Sequence, residues 1–207
     1  MKLIEGCKMK TFWDFCARFY DFAQLQNSAY KKAVDFVSQV VEADSSVIEL
    51  AAGTGEFSLA CAKKAKTVVC SDISQNMLNI AKKKAKKRLL ENIRFENYNI
   101  YEINEKDKIF DFVLAPQVLH LLDNSQKAAL ELRRICAKKV ILPQTLLKEI
   151  SLFARLKVRI WKILGFAPKI DLDFAEYKKF LEEIGFENCV VTYFKSDMPM
   201  AVAVWVA

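Results

Sequence analysis

The sequence predicts an α/β protein with a mostly parallel sheet of seven strands, helices on both faces and an antiparallel hairpin at the C-terminus. Through the middle of the chain, apolar runs of strand length alternate with segments of helical periodicity. A turn rich in small residues and glycine follows the first apolar run, as in sheets that bind a ligand at their carboxyl edge. Near the C-terminus a short reversal joins two apolar runs, which predicts the hairpin.

The predicted elements follow one another in a regular order. Apolar residues at helical spacing predict two N-terminal helices at 12–22 and 29–41. The predicted strands are 47–52, 67–72, 93–98, 109–115, 139–143, 189–195 and 200–206, and helices are predicted at 56–65, 75–89 and 125–137. No linker separates domains, so we expect one domain over 1–207, with a helical cap at 1–42 and a helical insert or lid at 146–184.

Composition bounds the class of protein. A chain of 207 residues that is 53% apolar can bury one sizeable core, and its net charge is +7. The six cysteines form no Cys-x-x-Cys pair, so neither a metal site nor a disulfide scaffold is expected, and Cys61 and Cys70 should pack as small apolar side chains. The sequence has neither an apolar leader nor a long uncharged stretch, so it predicts a cytoplasmic protein without a membrane span.

The turn after the first strand is the most informative segment. The strand contains Glu49 and opens into Ala51, Gly53 and Gly55. Glycine lacks a Cβ, so the backbone can turn sharply here and approach a ligand closely. A carboxylate beside this turn would repel a diphosphate but would attract a ligand that carries an ammonium and a sulfonium.

This segment resembles motif I of the class I S-adenosylmethionine-dependent methyltransferases, acidic-x-Gly-x-Gly-x-Gly, with Ala51 in place of the first glycine. The resemblance implies a Rossmann-like sheet, S-adenosylmethionine as the cofactor, and Glu49, Ala51, Gly53 and Gly55 beside it. The alternative is a dinucleotide-binding oxidoreductase, since a short Gly-x-Gly is a weak signal. In that pattern, however, the third glycine would fall on Ser58.

The next two strands end in further candidate cofactor residues. Asp72 lies about 20 residues beyond the glycines, where an acid can accept both ribose hydroxyls. Ile73 and Met77 would offer apolar surface to the adenine. Asn99 and Ile100 stand where the family usually has Asp-Ala, and Asn99 could still accept a hydrogen bond from the adenine amino group. The structural alternatives are a strand-end acid for Asp72, helix core for Met77 and a turn residue for Asn99.

The segment after the fourth strand bears on the methyl acceptor. It reads Ala-Pro-Gln-Val at 115–118, resembling motif IV, and it places Gln117 on the cofactor side. Enzymes that methylate nucleic-acid bases usually have Asp/Asn-Pro-Pro-aromatic there, so a small-molecule acceptor is favoured. The basic run at 82–88 is typical of a solvated face, although it keeps RNA as an alternative. His120 is the candidate general base, and a packed side chain is its alternative.

Two regions outside the motifs are expected to contact the substrate. Ala-Arg-Phe-Tyr-Asp at 17–21 resembles the Ala-x-x-Tyr-Asp opening of the ubiquinone/menaquinone-biosynthesis type of methyltransferase, in which Tyr20 would close over the cofactor; a core aromatic is the alternative. The segment 146–166 has one apolar and one basic face. A helix packed as a lid over the sheet edge is favoured over an interfacial helix on anionic lipid.

Together these features predict methyl transfer from S-adenosylmethionine to a small acceptor, aromatic or isoprenoid, by in-line displacement. Positioning alone can supply roughly 7–11 kcal/mol of such a barrier, so a dedicated catalytic residue is not required. The remaining alternatives are an NAD-type oxidoreductase, a methyltransferase acting on RNA or another macromolecule, and a catalytically silent protein that uses the fold to bind a partner. Peripheral membrane contact is compatible with the sequence, and the oligomeric state does not follow from it.

Overall fold

The computed structural model describes residues 13–207 except 15, 18–20, 22, 23 and 25. Its strands are β1 Ser46–Leu50, β2 Thr67–Ser71, β3 Ile93–Glu96, β4 Phe110–Leu114, β5 Cys136–Thr145, β6 Val190–Phe194 and β7 Met200–Val206. Its helices are α1 Ser28–Val40, α2 Glu56–Cys61, α3 Gln75–Lys87, α4 Ser125–Ile135, α5 Leu152–Ile163 and α6 Phe174–Glu183, with a 3-10 turn at Leu119–Leu121.

All seven strands form one sheet in the order β3-β2-β1-β4-β5-β7-β6. The first five are parallel to one another, whereas β7 runs antiparallel to both β5 and β6. The fold class predicted from the sequence is therefore confirmed, including the C-terminal hairpin. The strand order reverses between β1 and β4, and in open parallel sheets ligands bind outside the carboxyl ends of the strands at such a point.

The core lies on both faces of the sheet, which explains why the central strands read as continuous apolar runs. One large cluster packs α4 and α6 against one face, and a second packs α1 and α2 against the other. Successive side chains of a strand point to opposite faces of the sheet. Phe112 and Val113, consecutive in β4, are both fully buried, so both faces are covered there. Cys61 and Cys70 are also fully buried, as predicted for thiols that pack as apolar groups.

Polar side chains begin most helices by accepting hydrogen bonds from the first-turn amides. Ser74 accepts from the Met77 N–H at the start of α3, and Asp173 and Glu176 form a reciprocal capping box at α6. The predicted helices at 56–65, 75–89 and 125–137 start at or within one residue of the observed ones but run two to four residues too far. Their last predicted residues form turns or, at Cys136, enter the next strand.

The insert after β5 differs from its sequence interpretation. We predicted that the apolar face of residues 146–166 would pack as a lid over the sheet edge. In the structure α5 begins only at Leu152, and Ala154 is its one buried residue, while Leu152 and Phe153 are 78% and 85% exposed. Helical periodicity predicts that apolar residues share a face, but it does not show what that face contacts. Among the described residues, no helix has the length and apolarity needed to cross a bilayer.

Candidate functional site

A cavity opens at the carboxyl ends of β1, β2 and β4, next to the point where the strand order reverses. It unites parts of the chain that the sequence had singled out separately. Its lining residues are Trp13, Ala51, Gly53, Asp72, Ile73, Met77, Tyr98, Ile100, Pro116, Gln117, Val118, Leu121 and Leu122. Seven predicted cofactor residues are among them: Ala51, Gly53, Asp72, Ile73, Met77, Ile100 and Gln117.

The turn after β1 has a left-handed backbone at three positions. Ala51, Gly53 and Gly55 have φ values of +53°, +56° and +79°. Residues other than glycine rarely adopt this backbone conformation, which explains why the motif has glycine at these positions. Ala51 is therefore a strained exception. The Ala52 N–H donates to the Ser71 carbonyl at 2.9 Å, so the turn is fixed to the end of β2.

We expect Gly55→Ala to lower the free energy of unfolding by about 2 kcal/mol, because both backbone and packing oppose a Cβ there. That Cβ would lie 3.1 Å from the Ala81 Cβ and 3.2 Å from the Cys70 Sγ, and φ at Gly55 is +79°. Urea unfolding measures the change. Gly185→Ala, at φ +93° beside the flexible Arg133 guanidinium, is the control for backbone strain away from the cavity. An unchanged stability for Gly55→Ala would contradict the observed conformation.

Asp72 connects the two loops that form the cavity floor. One carboxylate oxygen accepts the Gly53 N–H at 2.7 Å, and the other accepts the Ser74 N–H at 2.8 Å. Burial raises the pKa of Asp72, and the two amide hydrogen bonds oppose this rise. Each carboxylate oxygen can accept more than one hydrogen bond, so both retain capacity for donors on a ligand.

Glu49 lies beneath the turn and is not among the residues that line the cavity. Its carboxyl group is fully buried and accepts hydrogen bonds from both the backbone N–H and the hydroxyl of Ser58 in α2. Burial raises its pKa to about 8, although the Ser58 hydrogen bonds lower it in part. Glu49 thus connects β1 to α2, and its role toward a ligand remains a prediction.

The segment after β3 approaches the cavity differently from the sequence interpretation. The Asn99 side-chain oxygen accepts the Tyr101 N–H at 3.0 Å, as in a turn, and Asn99 is exposed and not among the lining residues. Ile100 lines the cavity. Asn97 donates from its side chain to the Asp72 carbonyl at 2.6 Å, and Tyr98 contributes to the wall. The adenine contact predicted for Asn99 therefore remains a prediction without support from its position.

The segment after β4 forms the opposite wall. Gln117 has φ +51°, its N–H donates to the Pro143 carbonyl at 2.7 Å, and its side-chain oxygen accepts from the Thr145 hydroxyl at 2.6 Å. His120 is buried behind this wall and is not among the lining residues. Burial lowers the pKa of His120 to about 4, against weaker opposing effects of Asp171 and Gln144. Among the described residues, no hydrogen-bond partner is found for the His120 Nδ1 atom.

The described part of the N-terminal segment is tied to both loops of the cavity. Asp14 accepts from the Ser74 hydroxyl, and Asp21 accepts from the Thr54 hydroxyl and pairs with Lys84 at 3.0 Å. Trp13 therefore lies in the cavity wall. Tyr20, the predicted lid residue, lies outside the described residues.

Sequence reasoning missed six lining residues: Trp13, Tyr98, Pro116, Val118, Leu121 and Leu122. Pro116 and Val118 flank Gln117 in motif IV, so that motif could have indicated them. Tyr98 directly precedes Asn99 and could have been found in the same way. Trp13 gave no signal, because its place depends on how the N-terminal segment docks. Across the described part of the chain, no group of three or more potential metal ligands is found.

Comparison with known proteins agrees with this geometry. Residues 47–139, which contain the glycine turn, Asp72 and the motif IV segment, match the family described as a methyltransferase domain. The matched segment, 93 of the 207 residues, is similar to this methyltransferase domain. At the level of the family, this confirms the predicted cofactor, S-adenosylmethionine, whereas the role of each site residue stays a prediction.

Two curated relatives carry the name of one type of methyltransferase. The chain is 32% identical over 108 residues to the ubiquinone/menaquinone biosynthesis C-methyltransferase of Rickettsia prowazekii, covering 49% of this chain and 44% of the relative. It is 27% identical over 181 residues to the protein of that name from Rickettsia bellii. This match covers 74% of this chain and 73% of the relative. The chain thus spans less than half the length of the first relative.

The methyltransferase fold is also found among solved structures. One is the magnesium protoporphyrin IX methyltransferase from Synechocystis PCC 6803 with bound S-adenosylhomocysteine, with a TM-score of 0.66 and 19% identity. The similarity covers 86% of this chain and 83% of that chain. At this level of identity the comparison supports the fold of the methyltransferase and not its acceptor.

Proposed function

We propose that this protein binds S-adenosylmethionine in the cavity and transfers its methyl group to a small, largely apolar acceptor. The observation that carries the proposal is the meeting of the Gly53 turn and the Asp72 carboxylate with an apolar wall at the carboxyl edge of the sheet. A nucleoside presents hydroxyls and a flat aromatic ring, and this cavity offers an acceptor for the first and apolar surface for the second.

The residues at the cavity fit this cofactor in kind. Asp72 would accept the ribose hydroxyls with its free lone pairs, while Gly53 and Ser74 keep its carboxylate in place. Ile73, exposed by 36%, and buried Met77 would contact the adenine ring. The strained left-handed backbone at Ala51 keeps the turn close to the cavity, as expected where a ligand approaches the main chain.

The bound cofactor would supply an electrophilic methyl group on a sulfonium, which the acceptor displaces in line. The contribution of this chain is to orient both partners and to exclude water. Pro116, Val118, Leu121 and Leu122 form an apolar wall on the acceptor side, and Trp13 adds aromatic surface. This lining favours an aromatic or isoprenoid acceptor over a charged one, and it agrees with the names of the curated relatives.

A general base would be needed if the acceptor is a hydroxyl or an acidic carbon, and we propose His120 for that role. With a pKa of about 4, His120 is neutral near physiological pH, so it can accept a proton, though only as a weak base. Its Nδ1 atom has no partner among the described residues. His120 is buried and does not line the cavity, so a proton would have to reach it through a shift of this wall or through water.

Ligand binding tests the cofactor assignment first. We expect S-adenosylhomocysteine to raise the melting temperature and to bind with a Kd in the micromolar range, about −8 kcal/mol, whereas NADH does neither. Stabilisation by NADH alone would overturn the proposal in favour of an oxidoreductase. Transfer is then followed with methyl-labelled cofactor in cell extract: label in the organic phase supports a small apolar acceptor, and label in RNA or protein contradicts it.

A further inference from the structure

Helix α5 exposes an unusual number of large apolar side chains to water. Leu152, Phe153, Leu156, Ile160 and Ile163 are all more than half exposed. Large contiguous apolar patches on a protein surface mark interaction sites, because water solvates them poorly. The described residues therefore leave this face of α5 uncovered, and we expect a partner outside them to contact it.

The helix has three distinct sides at 100° per residue. Ala154, Val158 and Trp161 lie at i, i+4 and i+7 and form the side toward the protein, where exposure is lowest. The exposed apolar residues occupy an arc of about 100° on the opposite side of the helix. Basic residues border this arc on both sides: Lys157 on one, and Arg155, Arg159 and Lys162 on the other.

The charge around this arc is of one sign only. No acidic residue occurs between 151 and 170. Lys162 pairs with Asp171 at 2.8 Å, whereas Arg155, Lys157 and Arg159 are exposed and form no ion pair within the described part of the chain. Cations on both borders of an apolar arc match a surface that is apolar in its interior and anionic at its rim.

We propose that α5 lies in the plane of an anionic phospholipid bilayer, with its apolar arc among the acyl chains and its basic residues at the phosphates. Lysine and arginine can extend along such an interface while their aliphatic stems stay in contact with apolar groups. A second copy of the chain fits this surface less well, because a two-fold contact through α5 would bring its own cations together.

The position of α5 connects the proposed bilayer contact with the cavity. Phe166, just beyond the helix, packs edge-on against Trp13 with 6.3 Å between ring centroids, and Trp13 lines the cavity. A bilayer beneath α5 would therefore lie near the mouth of the cavity. The bilayer could then deliver a lipid-dissolved acceptor to the cavity. This delivery rests on the proposed function, whereas bilayer binding itself does not.

Vesicle flotation of the full chain tests the proposal. The vesicles are phosphatidylcholine alone or phosphatidylcholine with about one third phosphatidylglycerol. We expect binding to the anionic vesicles, binding at least about tenfold weaker to the neutral ones, and loss of binding as salt rises. Phe153→Glu should weaken binding to anionic vesicles about tenfold or more, since it places a carboxylate in the apolar arc. The double variant Arg155→Glu/Arg159→Glu should do the same by reversing charge at its border.

Matched variants elsewhere on the surface separate a specific contact from general charge attraction. Leu130→Glu replaces an apolar residue of α4 that is 58% exposed, and Lys83→Glu/Lys87→Glu reverses two exposed lysines of α3. Both should bind vesicles like the wild type, and all variants should retain the wild-type melting temperature and S-adenosylhomocysteine affinity.

Several outcomes would overturn the bilayer assignment. These are no binding to anionic vesicles, equal loss of binding in the control variants, or a wild-type dimer that Phe153→Glu dissociates without any vesicle binding. Because S-adenosylhomocysteine affinity is measured on the same samples, a failure of the proposed function is seen separately.

Discussion

Asp72→Ala is expected to weaken S-adenosylhomocysteine binding about 100-fold, which corresponds to about 2.7 kcal/mol. A hydrogen bond to a charged group contributes about 1.5–3 kcal/mol, and the two ribose hydroxyls would both donate to this carboxylate. The substitution also removes the acceptor for the Gly53 and Ser74 amides, which lie 2.7 and 2.8 Å from the carboxylate oxygens, so the turn itself loses its support. Isothermal titration calorimetry measures the affinity, and urea unfolding measures the change in stability.

Asp111→Ala supplies a matched control at the opposite edge of the same sheet. Asp111 also accepts from a backbone amide, the Ser46 N–H at 2.8 Å, and pairs with Lys138 at 3.2 Å. Its loss should lower stability without changing the affinity for S-adenosylhomocysteine. If Asp72→Ala bound the ligand as tightly as the wild type, or if both variants lost affinity equally, the assignment of Asp72 as the ribose acceptor would fail.

The sheet could be predicted from the sequence because its central strands are buried on both faces. Such strands are short and mostly apolar, as in Val47–Leu50, which Glu49 interrupts, and Val68–Cys70, and a small or polar residue follows each. Asp72 and Gly53 could be predicted for the same reason: the carboxyl ends of neighbouring parallel strands meet at one edge. The structure joins them by a single hydrogen bond of 2.7 Å.

The rest of the site depends on contacts between segments far apart in sequence. Trp13 reaches the cavity through the ties of Asp14 and Asp21 to the loops after β2 and β1, and nothing in the local pattern indicates these partners. What the apolar face of α5 contacts is likewise not indicated by the local sequence. Its periodicity is clear, but the identity of its partner is not a property of one helix. Glu49 shows a third limit, because a strand-end acid can face either the ligand or the neighbouring helix.

Glu49→Gln is expected to stabilise the ligand-free protein, increasingly so as pH rises. The pKa of Glu49 is raised from 4.5 to about 8, chiefly by burial. Below about pH 4.5 the carboxyl group is protonated in both the folded and the unfolded state, so the substitution changes little. Between about pH 4.5 and pH 8 only the unfolded state ionises, and the wild type loses stability that the glutamine variant keeps. We expect a difference of at least about 1 kcal/mol at pH 8 in urea unfolding.

Glu131→Gln is the control with the opposite sign. The pKa of Glu131 is lowered, chiefly by its hydrogen bond with Arg134, so its ionised form stabilises the folded state. That stability is present above the unfolded pKa and is lost as pH falls through the folded one, so this variant should be less stable than the wild type at neutral pH and should approach it in acid. Parallel pH profiles for the two variants would contradict the buried, protonated state of Glu49.

Ligand binding should reverse the advantage of the glutamine at position 49. An ammonium or sulfonium close to the turn favours the ionised form of Glu49, so binding would lower its pKa and release a proton. Calorimetry in two buffers of different ionisation enthalpy should detect this release near about pH 7.5 in the wild type and not in Glu49→Gln. The wild-type affinity for S-adenosylmethionine should also rise between about pH 6.5 and 8.5, while that of the variant stays flat. Equal proton release in both proteins would show that Glu49 does not sense the ligand, leaving it only the structural role of holding Ser58 and α2 against β1.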